Sequence, residues 1–229
     1  MEIIEFSECS GHRVFLSYLY NTLLPDAVSL GGRGEIEFYG DRAVVRIAVP
    51  DMRAFSGRAA DAVAEVLCVG YKYRFLEKSL CVCLPRRERR LLAAALIAAD
   101  YAGDVAYVKR KIPVQPRCAV DGVYTFRLGA LREKWEKIVA YIPAGFSVSD
   151  LKRFCEFLSG ESNNTIYLKG NAVYGEDFLP LRRSRLTGAE DIETEIVLSD
   201  AGFIYCLGEV EDSLGDFLQK YYAERAIFS

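Results

Sequence analysis

Apolar and polar residues alternate with a period of two in several short stretches of this chain. In longer stretches they recur at three and four, so strands are mixed with helices. Residues 2 to 6 read as a strand. Residues 11 to 24 read as a helix in which Val14, Leu16, Tyr18 and Leu23 or Leu24 give a rough apolar face. The runs 35 to 39 and 43 to 49 alternate on either side of Gly40-Asp41, and glycine at the first turn position suits a tight hairpin. A helix capped by Ser56 is predicted to reach about Lys78, because Ala59, Val63, Val66 and Leu67 recur at helical spacing. Another runs from Arg86 to about Ala102 and carries the uninterrupted apolar run from Leu91 to Ala99.

The second half continues the mixture. The segment D-G-V-Y-T-F-R-L opens with a turn at Asp121-Gly122, runs through aromatic and β-branched residues, and gives way to helix formers from Ala130. Leu151, Phe154, Cys155 and Leu158 mark a helix with Ser149 as its cap and Gly160 as its stop. Residues 165 to 169 and 172 to 174 flank Gly170-Asn171, a second two-residue hairpin signal. Residues 194 to 198 and 203 to 207 read as strands separated by a turn at Asp200-Ala201-Gly202, and 213 to 224 as a closing helix. The expected class is α+β, with β-hairpins packed against a central set of helices and no regular βαβ alternation. The P-V-Q-P stretch at 113 to 116 is the expected boundary between an N-terminal lobe, 1–115, with two long helices, and a C-terminal α+β lobe, 116–229; a single packed domain is the alternative.

Composition narrows the class. With 229 residues, 51% of them hydrophobic, the chain can bury a core without disulfides or metal. The first eight residues hold Glu2, Glu5 and Glu8 and lack the basic and apolar regions of a signal peptide. The longest apolar run falls well short of the about 20 residues that span a bilayer. A soluble, cytoplasmic protein without membrane contact is expected. Seven cysteines at irregular spacing point to reduced, mostly buried thiols. The net charge of −3 is uneven: residues 186 to 229 carry ten Asp/Glu against Lys220 and Arg225, or −8, which leaves +5 on the remainder. The acidic end either folds back on the basic body or leaves it open to an anion.

Three features taken in order, A-D-A-V-A-E-V-L (60 to 67) followed by a basic and hydrophobic helix, D-G-V-Y-T-F-R-L (121 to 128), and F-S-V-S-D-L-K-R-F-C-E-F-L (146 to 158), form a recognisable layout. This layout resembles that of the YtxC-like family of sporulation-associated proteins, with Phe126, Arg127 and Leu128, then Phe154, Phe157 and Leu158, in the comparable places. The second helix departs from the family in lacking an acidic, tyrosine-containing opening. The resemblance implies a bacterial protein of spore formers with no established activity, so no catalytic residues carry over.

The candidate chemistry is sparse. His12 is the single histidine and has no acidic residue beside it in sequence, so an ordinary helix-start histidine is the simpler reading than catalysis. Cys81 and Cys83 would share one face of a strand, but a zinc site needs a second pair nearby. Asp191, Glu193 and Glu195 alternate and on a strand would share a face able to hold Mg²⁺ for phosphodiester cleavage, but Ile196 and Val197 stand where a nuclease of that type would want a lysine, and the solvent face of an edge strand is the simpler reading. Arg86, Arg87, Arg89 and Arg90, with Arg182, Arg183 and Arg185, are the candidate nucleic-acid contacts. Tyr101, Tyr107 and Tyr174 are available for base stacking. The leading expectation is a non-enzymatic protein without cofactor, acting on an unidentified protein partner. Nucleic-acid binding and Mg²⁺-dependent phosphodiester hydrolysis are the alternatives.

Overall fold

In the computed structural model, which describes residues 1–112, 116–188 and 190–228, the alternation of Ile4, Phe6 and Glu8 becomes strand β1 (Glu2–Cys9), with these three side chains inward. A 3-10 turn, Ser10–His12, leads into helix α1 (Arg13–Ser29). The hairpin predicted at Gly40 forms between β2 (Arg33–Tyr39) and β3 (Arg42–Val49), and Gly40 takes the positive φ (+52°) that its turn position demands. Helix α2 (Met52–Glu65) starts earlier than expected. Its cap is Asp51, which accepts from the amides of Arg53 and Ala54, whereas Ser56 lies inside the first turns and bonds back to the Arg53 carbonyl. The helix continues through a π-helical stretch, Val66–Tyr71, into α3 (Lys72–Ser79). Residues 80 to 85 have no regular structure and Cys81 and Cys83 are exposed, so the strand on which they were expected to share a face does not form.

Helix α4 (Arg86–Lys111) follows. Among the described residues it is the one helix long and apolar enough to cross a membrane, and Leu91 to Ala98 within it are buried. Short strand β4 (Arg117–Ala119) leads into α5 (Val120–Arg127), so the D-G-V-Y-T-F-R-L segment is helical instead of opening with a turn and an extended run. Then come α6 (Gly129–Ala140) and α7 (Val148–Glu161). The cap of α7 is Ser147, two residues before the expected Ser149, and it forms a reciprocal capping box with Asp150. The chain closes with β5 (Asn164–Lys169), β6 (Ala172–Tyr174), a 3-10 turn (Arg183–Thr187), α8 (Ile192–Leu198), β7 (Ala201–Cys206), α9 (Asp212–Tyr221) and β8 (Ala226–Phe228). The strand expected at 194–198 is therefore helical: Asp191 accepts from the amides of Glu193 and Thr194 and so starts a helix in place.

The fold is α+β with two mixed four-stranded sheets, ordered β2-β3-β1-β4 and β6-β5-β7-β8. Two compact units hold one sheet each. The first comprises Met1–Lys72 and Tyr101–Lys137, the second Tyr73–Asp100 and Ile138–Ser229. The expected lobes, 1–115 and 116–229, partition the chain differently, and residues 113 to 115 of the P-V-Q-P stretch lie outside the described residues. In the first unit β1 runs antiparallel to β3 and parallel to β4, with α1 on the sheet. In the second, β5 pairs antiparallel with β6 and parallel with β7, and β7 runs parallel to β8. Ile166, Leu168, Val173, Ile204 and Cys206 are buried on the face of this second sheet that meets α7 and α8.

Candidate functional site

Four arginines among the first five residues of α4 put positive charge where the helix dipole disfavours it. The second unit answers with the acids at the start of α8, which sit where the dipole favours negative charge. Arg87 donates through Nε to Glu193 Oε2 at 2.7 Å and through its other nitrogen to Oε1, which holds its guanidinium pKa above the ordinary value. Arg90 pairs with Asp191, and Lys220 with Glu88 at 3.3 Å. The acidic end of the chain is thus folded back on one of the basic clusters within this unit.

The three carboxylates proposed for Mg²⁺ do not act together. Asp191 caps α8 and pairs with Arg90, while Glu193 pairs with Arg87. Glu195 turns inward, is buried, and accepts from the Arg183 and Ser184 amides at 2.9 and 2.7 Å. Burial still raises its pKa against the lowering effect of those bonds. On a helix Glu193 and Glu195 no longer share a face, and Asp191, the extended N-cap, turns back onto the first amides, so the shared strand face expected for them is replaced by three separate tasks.

Of the basic residues, Arg86, Arg89 and Arg90 line a cavity of about 290 Å³ with Tyr73, Glu77 and Gly188. Gly188 ends the 3-10 turn in the left-handed region (φ +82°). Arg183 donates to the Leu198 carbonyl at 3.3 Å and Arg185 pairs with Glu190, while Arg182 is exposed. The structure thus brings part of the first arginine cluster to a cavity bordered by the loop after the second.

The same unit carries an uncovered aromatic surface. Register partners Tyr174, Tyr167, Tyr205 and Ile227 form one row across β6, β5, β7 and β8, on the face opposite the buried residues. Tyr167 stacks on Phe178 (centroids 4.5 Å apart, 22° between planes) and on Tyr205 (5.6 Å, 25°). Phe203 and Tyr205 are 37% and 36% exposed, Phe178 and Leu179 more so, and Arg225 lies 5.5 Å over the Phe203 ring. Only Tyr174 of the predicted stacking tyrosines belongs to this surface. The period-two patterns of β5 and β7 were the sequence signal for Tyr167, Phe203 and Tyr205, and Phe178 and Leu179, outside any strand, had none.

In the first unit His12 has the acidic partner that its sequence neighbours do not reveal. Its Nδ1 lies 3.2 Å from Glu8 Oε1 and 3.3 Å from Tyr71 Oη, and Tyr71 donates to Glu8 Oε2 at 2.6 Å. Nearby, Asp104 accepts from Lys72, Lys134 and Trp135 at 2.8 to 2.9 Å, an arrangement that no local motif announces. Cys68, Cys118, Cys155 and Cys206 are buried, and burial pushes the Cys118 and Cys155 thiols up to about 11 and about 12. Comparison with protein-family models, curated proteins and solved structures finds no match to this chain.

Proposed function

We propose that this protein acts without catalysis, by holding a protein partner on the open face of its second sheet. The observation that carries the reading is the aromatic row built on Tyr167 and Tyr205 and flanked by Phe178, Phe203 and Ile227, all of it outside the core. Aromatic residues are enriched in protein interfaces, and contiguous exposed apolar surface marks interaction sites. A stacking surface on a four-stranded sheet also serves single-stranded nucleic acid. Charge favours the protein partner: the second unit has 14 Lys/Arg against 18 Asp/Glu, a net of −4, which repels a polyanion. The resemblance to YtxC-like proteins points the partner search toward spore-forming bacteria. The test compares proteins retained from extracts of sporulating cells by the wild type and by a Phe203→Glu, Tyr205→Glu double variant of equal melting temperature. Partners retained by the wild type and lost from the variant support the reading, and an identical set from both contradicts it.

The cavity beside Arg86, Arg89 and Arg90 favours a second reading, a phosphate-bearing ligand held by guanidinium forks. Titration with inorganic phosphate, a nucleotide and a single-stranded oligonucleotide tests it. Saturable, salt-sensitive binding that weakens in the Arg86→Ala, Arg89→Ala variant supports it, and no binding, or binding unchanged by the substitutions, contradicts it.

A further inference from the structure

Glu8, Cys9 and His12 bring three different metal-ligating groups together where β1 ends and α1 begins. Glu8 continues the inward row of β1 and is fully buried (0% exposed), whereas Cys9 and His12 keep partial access to solvent. One ligand atom from each lies within 4.8 Å of the other two. Zinc holds its ligands at about 2.0 to 2.3 Å in a tetrahedral arrangement, so ligand atoms around one cation stand roughly 3.3 to 3.8 Å apart, and side-chain movements of up to about 1 to 1.5 Å close the cluster on it.

The surroundings pre-form such a site. The Tyr71 hydroxyl and the Cys9 amide, at 2.6 and 3.0 Å, fix the two oxygens of the Glu8 carboxylate. The rings of Phe15 and Tyr71 flank the imidazole with centroids at 5.2 and 5.3 Å. Tyr71 closes the π-helical stretch, a feature that recurs at functional sites. Gly70 beside it leaves room for Phe15, since a Cβ there would sit 2.5 Å from the ring.

We propose that Glu8, Cys9 and His12 form a three-ligand site for a divalent cation of the zinc class, with solvent at the fourth position. Thiolate and imidazole select zinc or cobalt over Mg²⁺ and Ca²⁺, which take oxygen ligands. The cation displaces the thiol proton, and the imidazole binds through the Nδ1 that otherwise faces Glu8. Tyr71 acts behind the ligands, holding the carboxylate through Oε2. The site is separate from the sheet face and the arginine cavity, which belong to the second unit.

The test uses the full chain in a Cys81→Ser, Cys83→Ser background, because those exposed thiols are competing ligands. After chelator treatment, Co²⁺ is titrated as the spectroscopic probe and then displaced with Zn²⁺. Expected is saturable binding with a thiolate-to-cobalt charge-transfer absorption that Cys9→Ser abolishes and that Zn²⁺ bleaches. Tyr71→Phe weakens affinity by about tenfold or more, the scale set by groups that position ligands. Should His12→Ala fail to fold, Cys9→Ser, at a partly exposed position, carries the decision. Absence of the band, or a band and affinity unchanged in Cys9→Ser, overturns the proposal.

Discussion

Asp104 holds two ammonium groups and an indole with a single carboxylate that is 1% exposed. Lys72 beside it is equally buried and lies 5.8 Å from the Trp135 ring centre. A buried charge left without its counter-charge costs far more than the intact pair contributes, so Asp104→Ala is expected to lower stability by about 3 to 5 kcal/mol in urea denaturation. A loss below about 1 kcal/mol, the worth of a surface pair, contradicts this reading. Glu195 gives a second prediction at this scale. Its folded pKa is raised above the ordinary 4.5, chiefly by burial, so its favourable contribution is complete below that value and lost as pH rises through the folded value. Acidification from about pH 7 to about pH 4 is therefore expected to shift the stability difference between wild type and Glu195→Gln in favour of wild type. A difference that is constant, or that moves the other way, counts against it.

Among the elements, the start of α8 separates a structural from a catalytic role for the acids. Asp191 caps the helix and meets Arg90, so Asp191→Ala is expected to cost about 1 to 2 kcal/mol. Mg²⁺ is expected to leave the melting temperature of the wild type unchanged. A Mg²⁺-dependent rise that disappears in Asp191→Ala would restore the phosphodiesterase reading. This element also shows where sequence patterns stop being informative. Thr194 to Leu198 reads as a strand and is rich in β-branched residues, yet Asp191 starts a helix in which these five residues are buried. Tertiary burial overrode propensity there. The hairpins at Gly40 and Gly170 were legible because a turn with positive φ is a local property. The grouping of Glu8, His12 and Tyr71 was not: Tyr71 stands 63 residues from Glu8, and Glu8 and His12 fall on either side of a strand end that the sequence placed too early. The spacing E-C-x-x-H was the one available signal.

For the whole molecule, two sheets of similar size carry different surface chemistry. The first unit has a net charge of +1 and contains the Glu8, Cys9 and His12 cluster; the second has −4 and presents its aromatic row to solvent. Burying that row against a partner removes apolar surface from water, and each offset ring pair adds about 0.5 to 1.5 kcal/mol beyond its area. Charged substitution of the row is then expected to affect binding far more than folding, because the residues lie outside the core. The most direct measurement places a photo-crosslinking amino acid at Tyr205 in cells that produce the protein, with a matched control at exposed Glu136 of the first unit. The expected result is a discrete protein adduct at position 205 that is absent at 136 and disappears when Phe203→Glu is added. Adducts only to nucleic acid, no adduct at 205, or the same adducts at both positions would contradict a protein-binding role for this face.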